Sequence, residues 1–230
     1  MTGMTMAARV DRVMDVIKWP FAVCAVLLLP GAVLGLFDLL QSLALEATHY
    51  GSFLGGAVVY YYGWKWFFRR RIWGSMLSTL EHELTHALFG LFTFRIIREL
   101  RVSWDDGGHV TFPGRVNWLI LIAPYWFPTA TFVLLCLVPF FGGGDAPLWL
   151  NVALGVSVTY HLTSTWVETH VGQSDLQRVG FPFAWCVLPF LNVWAYGVVV
   201  AMVVGGVDTA GAYNGEVFGR SLDILQATFS

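Results

Sequence analysis

Apolar residues run along this chain in long blocks, separated by short polar or basic stretches. Residues 116–144, 146–167 and 179–207 contain no Asp, Glu, Lys or Arg at all. Each block exceeds the roughly 18 apolar residues that argue for a bilayer-spanning helix. The pattern predicts an all-α integral membrane protein, a polytopic bundle of about six transmembrane helices over 19–45, 51–68, 72–94, 116–141, 147–169 and 181–204. The first block follows Arg9, Arg12 and Lys18. It is longer than the roughly 7–15 apolar residues of a signal core, so it reads as an uncleaved helix. Pro124 and Pro128 should bend the fourth helix, and Pro189 the sixth, because a proline has no amide for the carbonyl one turn earlier. Between 101 and 112 the period changes. Val102 and Trp104, then Val110 and Phe112, alternate with polar residues around Asp105-Asp106-Gly107-Gly108, the pattern of a short re-entrant or interfacial β-hairpin.

No repeat, low-complexity tract or linker divides the chain, so residues 1–230 read as a single membrane-embedded domain. Six spans place both termini on one face. The N-terminal basic cluster and Arg69, Arg70 and Arg71 then share that face, which the positive-inside rule makes cytoplasmic. Arg95, Arg98 and Arg101 fall on the opposite face unless their segment folds back into the protein.

Composition agrees with the pattern. Hydrophobic types make up 57% of the chain and charged types 12%, and the formal charge is -2. A charge so small and so mixed offers no basic surface to nucleic acid. With 11 Trp and 18 Phe the chain is also far too apolar to stay disordered. Cys24, Cys136 and Cys186 each stand alone in an apolar block and read as buried, inert thiols.

Against that background one hexapeptide is out of place. Glu81-His82-Glu83-Leu84-Thr85-His86 lies inside the third span, with His82 about 15 Å into the bilayer at 1.5 Å per residue. A carboxylate at that depth costs about 2.5–3.5 kcal/mol even on the lenient insertion scale. His82 and His86 are one helical turn apart and can bind one Zn²⁺ from a single face. Glu83, next to the first ligand, can reach a zinc-bound water and act as general base. A buried His/Glu network locking two helices is the plainer reading of the same residues. Axial haem ligation does not fit two histidines on one turn. A catalytic zinc also needs a third protein ligand. Asp175, Glu168 and His161 are the candidates, with His170 behind them, and spacing does not choose among them.

These residues resemble the intramembrane zinc metalloproteases of the site-2 protease type, the peptidase M50 family and in particular its compact M50B-like branch. The resemblance rests on Glu81-His82-Glu83-Leu84-Thr85-His86-Ala87-Leu88 in a membrane helix, then Asp105-Asp106-Gly107-Gly108-His109-Val110, Ala123-Pro124 and Ser174-Asp175-Leu176, in that order. It implies that His82, His86 and Asp175 hold one zinc per chain and that Glu83 is the catalytic base. His161 and Glu168 would be polar groups beside those ligands. The family's aspartate sits in a Leu-Asp-Gly context with an Asn-Pro element nearby, whereas Asp175 is flanked by Ser174 and Leu176-Gln177. In the family a re-entrant hairpin lies beside the catalytic helix, where an edge strand could pair with an extended substrate. A hairpin simply exposed to solvent would explain the same residues. His109 reads as a hairpin side chain.

The expected activity is therefore hydrolysis of peptide bonds in a membrane-spanning protein or peptide, by zinc-bound water that Glu83 activates. The chain would sit among lipids in a bacterial cytoplasmic (inner) membrane and bind no nucleic acid. Substrate and oligomeric state are not encoded legibly. The other class these residues allow is a transporter or channel whose intramembrane His/Glu cluster relays protons or metal ions. The internal symmetry that favours that class is absent from the sequence. A third reading is a non-catalytic relative that binds membrane helices without cutting them, against which the intact HExxH stands.

Overall fold

The computed structural model of the protein describes residues 5–66, 74–103, 107–141 and 146–230. The basic triplet Arg69–Arg71 and the hairpin-tip residues Trp104, Asp105 and Asp106 lie outside the described residues. Helices dominate. They are α1 (Met6–Leu45), α2 (Gly51–Trp66), α3 (Gly74–Phe92), α4 (Trp118–Ile122), α5 (Thr129–Leu137), α6 (Leu148–Glu168), α7 (Ser174–Val179) and α8 (Phe181–Phe229). Strands β1 (Glu99–Ser103) and β2 (Gly107–Thr111) form the expected hairpin, with Arg101 opposite His109.

Among the described residues, α1 and α8 are long and apolar enough to cross a membrane, and the bent pair α4–α5 makes a third span if taken as one. Some of the polar residues of α3 and α6 face inward. Thr85 and His86 in α3, and Ser157 and His161 in α6, are buried against the rest of the bundle.

Small residues set the close packing. α1 turns Ala22, Ala25, Gly31, Ala32 and Gly35 inward, while Val23, Val26, Val33 and Phe37 face out. α2 and α6 meet backbone to backbone. A Cβ on Gly56 would stand 2.2 Å from the Val152 carbonyl oxygen, and one on Gly155 would stand 2.0 Å from that of Phe53. Without a hydrophobic drive between helices in lipid, such close approach is what holds them together.

Four expectations change. First, α1 begins at Met6, capped by the Thr5 hydroxyl on the Ala8 amide, well ahead of residue 19. Its N-terminal turns are fastened to the loop after the hairpin by Asn117 to Asp11 at 2.9 Å and by the Trp118 indole to the Met14 carbonyl at 2.7 Å. Second, Arg95 is buried. It is paired with Asp11 and also bonded to the Pro113 and Arg115 carbonyls. The end of α3 thus lies beside the start of α1, on the same side of the molecule, where strict alternation of six spans would separate them.

Third, the last helix does not stop at 204. Helical geometry fails at Gly205 and Gly206, the latter with φ +68°, and a further helix follows over 207–229. That helix folds back on the segment before it. The Trp194 indole bonds Asn214 at 2.7 Å, and the Tyr213 hydroxyl lies 3.4 Å from the Val193 carbonyl. In a continuous helix residues this far apart in sequence would be separated by about 30 Å. Ala210, Tyr213, Val217 and Ser221 form its buried stripe, spaced three and four apart. The bend expected at Pro189 does not break the helix. Fourth, Cys24 and Cys136 are exposed at the bundle's outer surface, not buried. In a membrane protein an apolar run can be solvated by lipid as readily as by protein.

Candidate metal centre

α3 carries His82, Glu83 and His86 on one turn, and the other elements close around that turn. His86 points its Nδ1 at the Ile120 carbonyl in α4, 2.8 Å away, and its Nε2 at Asp175 Oδ2, 3.1 Å away. His82 points its Nδ1 at Glu168 Oε2, 3.0 Å away at the last residue of α6, and its Nε2 toward Asp175 Oδ2 at 3.6 Å. One ligand atom each from His82, His86 and Asp175 lies within 4.8 Å of the others. Each imidazole thus has an oxygen behind its Nδ1 and turns its Nε2 toward the Asp175 carboxylate. This is the orientation that a carboxylate or carbonyl partner imposes on a metal-binding histidine. Donor types and spacing fit a divalent ion such as zinc, held by three protein groups.

Local sequence explains each placement. Asp175 lies in the first turn of α7, a six-residue helix that ends at Gly180 with φ +92°, from which α8 starts at once. Burial by itself would raise the Asp175 carboxyl, but hydrogen bonds and charge from His82 and His86 outweigh it and hold the group well below the usual carboxylate range. Ile120 has its carbonyl available because residue 124 is proline. The amide that an α-helix would direct back to Ile120 does not exist, and a 3-10 bond from Ala123 replaces it. The carbonyl's other lone pair is open to His86.

Glu83 is 8% exposed and faces the hairpin. The Val110 amide is directed at its carboxylate, and a Cβ on Gly108 would stand 2.8 Å from its Cγ. The hairpin thus lies on Glu83 and is not free in solvent. His109 belongs to the outer face, half exposed and 3.8 Å from Glu99.

Of the sequence candidates, the structure brings together His82, His86, Asp175 and Glu83. Glu168 contacts His82 from the far side of the ring, and its carboxylate is not in the cluster. His161 is buried elsewhere. Its Nδ1 lies 2.7 Å from the Tyr196 hydroxyl, and its ring sits against the Pro124 and Phe127 carbonyls. His170 is an exposed turn residue that accepts from the Gly172 amide.

Three residues had no role assigned from sequence. Glu81 accepts from the Ala130 amide at 2.8 Å and so caps α5 from the neighbouring helix. The Thr85 hydroxyl meets that of Thr129 at 2.5 Å. Tyr125, between the two prolines, sets its ring perpendicular to His82 at 5.2 Å. The only sequence signal for Tyr125 is its position in the Pro124–Pro128 break.

Fold and site together define a class, integral membrane proteins whose helical bundle encloses a polar centre able to hold a metal ion. The particular family follows from comparison. A family model described as Peptidase M50B-like matches residues 54–222, well over half of the chain, and the protein belongs to that family. No curated protein and no solved structure gives a significant match to the chain.

Proposed function

We propose that the protein is an intramembrane zinc metallopeptidase that hydrolyses peptide bonds in membrane-spanning substrates. The observation that carries this is the convergence of His82, His86 and Asp175 with Glu83 beside them, on a helix packed among lipid-exposed apolar elements. The M50B-like family membership supports the same reading.

His82, His86 and Asp175 would hold the metal. Glu168 and the Ile120 carbonyl, each against an Nδ1, would keep the two imidazoles in the required tautomer. When bound, zinc supplies Lewis acidity and a water with a pKa lowered to near 7. Glu83 takes the proton of the attacking water and returns it to the departing amine. The Val110 amide and the hairpin hold its carboxylate on that path. A helical substrate hides its carbonyl in its own hydrogen bonds, so the bond to be cut must lie in an unwound, extended stretch. The hairpin beside Glu83 offers strand backbone for such a stretch to pair with. A bacterial cytoplasmic membrane is the proposed location.

The test is zinc content of detergent-purified protein, together with cleavage of a reconstituted membrane-spanning peptide. Glu83→Gln should retain near one zinc per chain while turnover falls about 10²–10⁴-fold, the range for loss of a general base. Wild-type protein with no zinc, prepared without chelators, would sink the reading and turn attention to an ion or proton path.

A further inference from the structure

Three buried side-chain polar atoms have no hydrogen-bond partner among the described residues: Arg95 Nε, Trp126 Nε1 and the Tyr125 hydroxyl. The first two belong to side chains held by an ion pair and by aromatic packing. The Tyr125 hydroxyl is different. Its residue is 0% exposed, its ring edge meets His82, and the charges of Asp175, Glu168 and Glu83 all act on its phenol. It bonds to none of these carboxylates. An unpaired buried donor is costly, and one this close to the candidate metal centre calls for an acceptor that the protein itself does not supply.

The backbone at this position is unusually fixed. Pro124 precedes Tyr125 in a 3-10 turn, Pro128 follows, and Asn192 donates to the Tyr125 carbonyl at 2.9 Å. On one side of the turn His86 grips Ile120, and on the other Glu81 and Thr85 grip Ala130 and Thr129. The helix that carries HExxH therefore holds both ends of the break, with Tyr125 between them. A donor fixed in advance by its surroundings needs no reorganisation when charge develops nearby, which is the requirement for electrostatic stabilisation of a transition state.

We propose that Tyr125 is a catalytic residue whose hydroxyl donates a hydrogen bond to the oxygen of the substrate carbonyl under attack. This rests on the peptidase reading above. As the water oxygen bonds to the carbonyl carbon, the carbon–oxygen double bond becomes single and negative charge collects on that oxygen, where Tyr125 stabilises it. The carbon–nitrogen bond then breaks, and the amine leaves with the proton carried by Glu83. Tyr125 keeps its own proton throughout.

The experiment compares wild type with Tyr125→Phe, which keeps the ring against His82 and removes only the donor. Three quantities are measured: zinc per chain, steady-state cleavage of a reconstituted membrane-spanning peptide, and calorimetric affinity for two probes. One probe is a short phosphinic pseudopeptide with a tetrahedral phosphinate in place of the amide. The other is a small alkyl thiol, which offers the hydroxyl no oxygen. The expected result is unchanged zinc, kcat lower by about 10²–10³-fold with KM within about twofold, and matching loss of phosphinate affinity. Thiol affinity should be unchanged. If Tyr125→Phe cleaves and binds phosphinate as wild type does, or if it loses zinc, the role proposed for the hydroxyl is wrong while the peptidase reading stands. If wild type itself holds zinc but neither cleaves the peptide nor binds the phosphinate, the peptidase reading fails and takes this one with it.

Discussion

Two of the helix breaks among the described residues are built differently. Between α4 and α5 the axis turns by 78° across Pro124 and Pro128. Side chains from elsewhere claim the backbone groups around that bend: His86 at the Ile120 carbonyl, Asn192 at Tyr125, Glu81 at the Ala130 amide. At Gly205–Gly206 the chain reverses through a conformation that only glycine adopts readily, φ +68° with ψ -152° at Gly206. There the Tyr50 hydroxyl reaches the Val204 carbonyl. The first break is tied to the candidate metal centre, since His86, which bonds the Ile120 carbonyl there, is one of its three residues. The second is a corner that lets 207–229 lie against α1. Backbone freed inside a membrane must be satisfied by protein, and at the first break that requirement also orients the chemistry.

The sharpest way to break the comparison is to remove the shared residue. His86→Ala takes away a candidate metal ligand and the partner of Ile120 together. It should lose stoichiometric zinc, as should Asp175→Ala, when metal is measured on purified protein. If Asp175→Ala kept its zinc, the cluster described above would not be the metal centre.

Next in size is Pro124→Ala. The new amide at position 124 would compete for the Ile120 carbonyl and weaken the hold on His86 Nδ1. Zinc affinity should fall about 10–100-fold, the usual effect of disturbing a ligand's supporting hydrogen bond. Glu168→Gln should do the same through His82. Competition titration with a chromophoric chelator reads both. If Pro124→Ala bound zinc as tightly as wild type, the bend and the metal would be independent features.

Gly206→Ala addresses the other break. It should cost about 1–3 kcal/mol, because a Cβ is strained at that φ and ψ. Unfolding of the detergent-solubilised protein reads the loss, and zinc content should not change. Zinc loss here would mean that the corner, too, supports the site.

Much of the first break was legible in sequence because proline announces itself, and so was the HExxH turn inside an apolar block. The hairpin could be read from its period. What could not be read depended on contacts between distant segments. Asp175, Glu168 and His161 all have ligand chemistry and suitable spacing, and only the fold decides that Asp175 faces the two Nε2 atoms while Glu168 stands behind one ring. Tyr125 has no pattern of its own, since a tyrosine becomes informative only when its hydroxyl is seen buried and alone. The corner at Gly205–Gly206 was hidden because apolar residues continue up to it and the helix after it mixes Asp208, Glu216, Arg220 and Asp223 into its sequence. Arg95 stands against the alternation of spans as long as a basic residue is read as aqueous, whereas this one is neutralised by Asp11 inside the protein.

Pro189 supplies the control for the whole comparison. It too lies inside an apolar helix and deprives the carbonyl one turn earlier, that of Trp185, of its amide, yet φ and ψ remain helical through it. The difference from Pro124 is local. A second proline follows Pro124 four residues on, and charged or polar side chains of α3 wait on both sides of it. Around Pro189, by contrast, no side chain donates to the Trp185 carbonyl among the described residues. A proline alone therefore leaves an apolar helix running, and it becomes a break only where neighbouring side chains bind the freed groups better than the helix would. Pro189→Ala should accordingly leave zinc affinity within about twofold, against the 10–100-fold expected at Pro124. It should alter stability by about 1 kcal/mol or less. A large loss of zinc from Pro189→Ala, measured by the same competition titration, would show that the metal centre responds to any helix irregularity and not to the His86–Ile120 contact in particular.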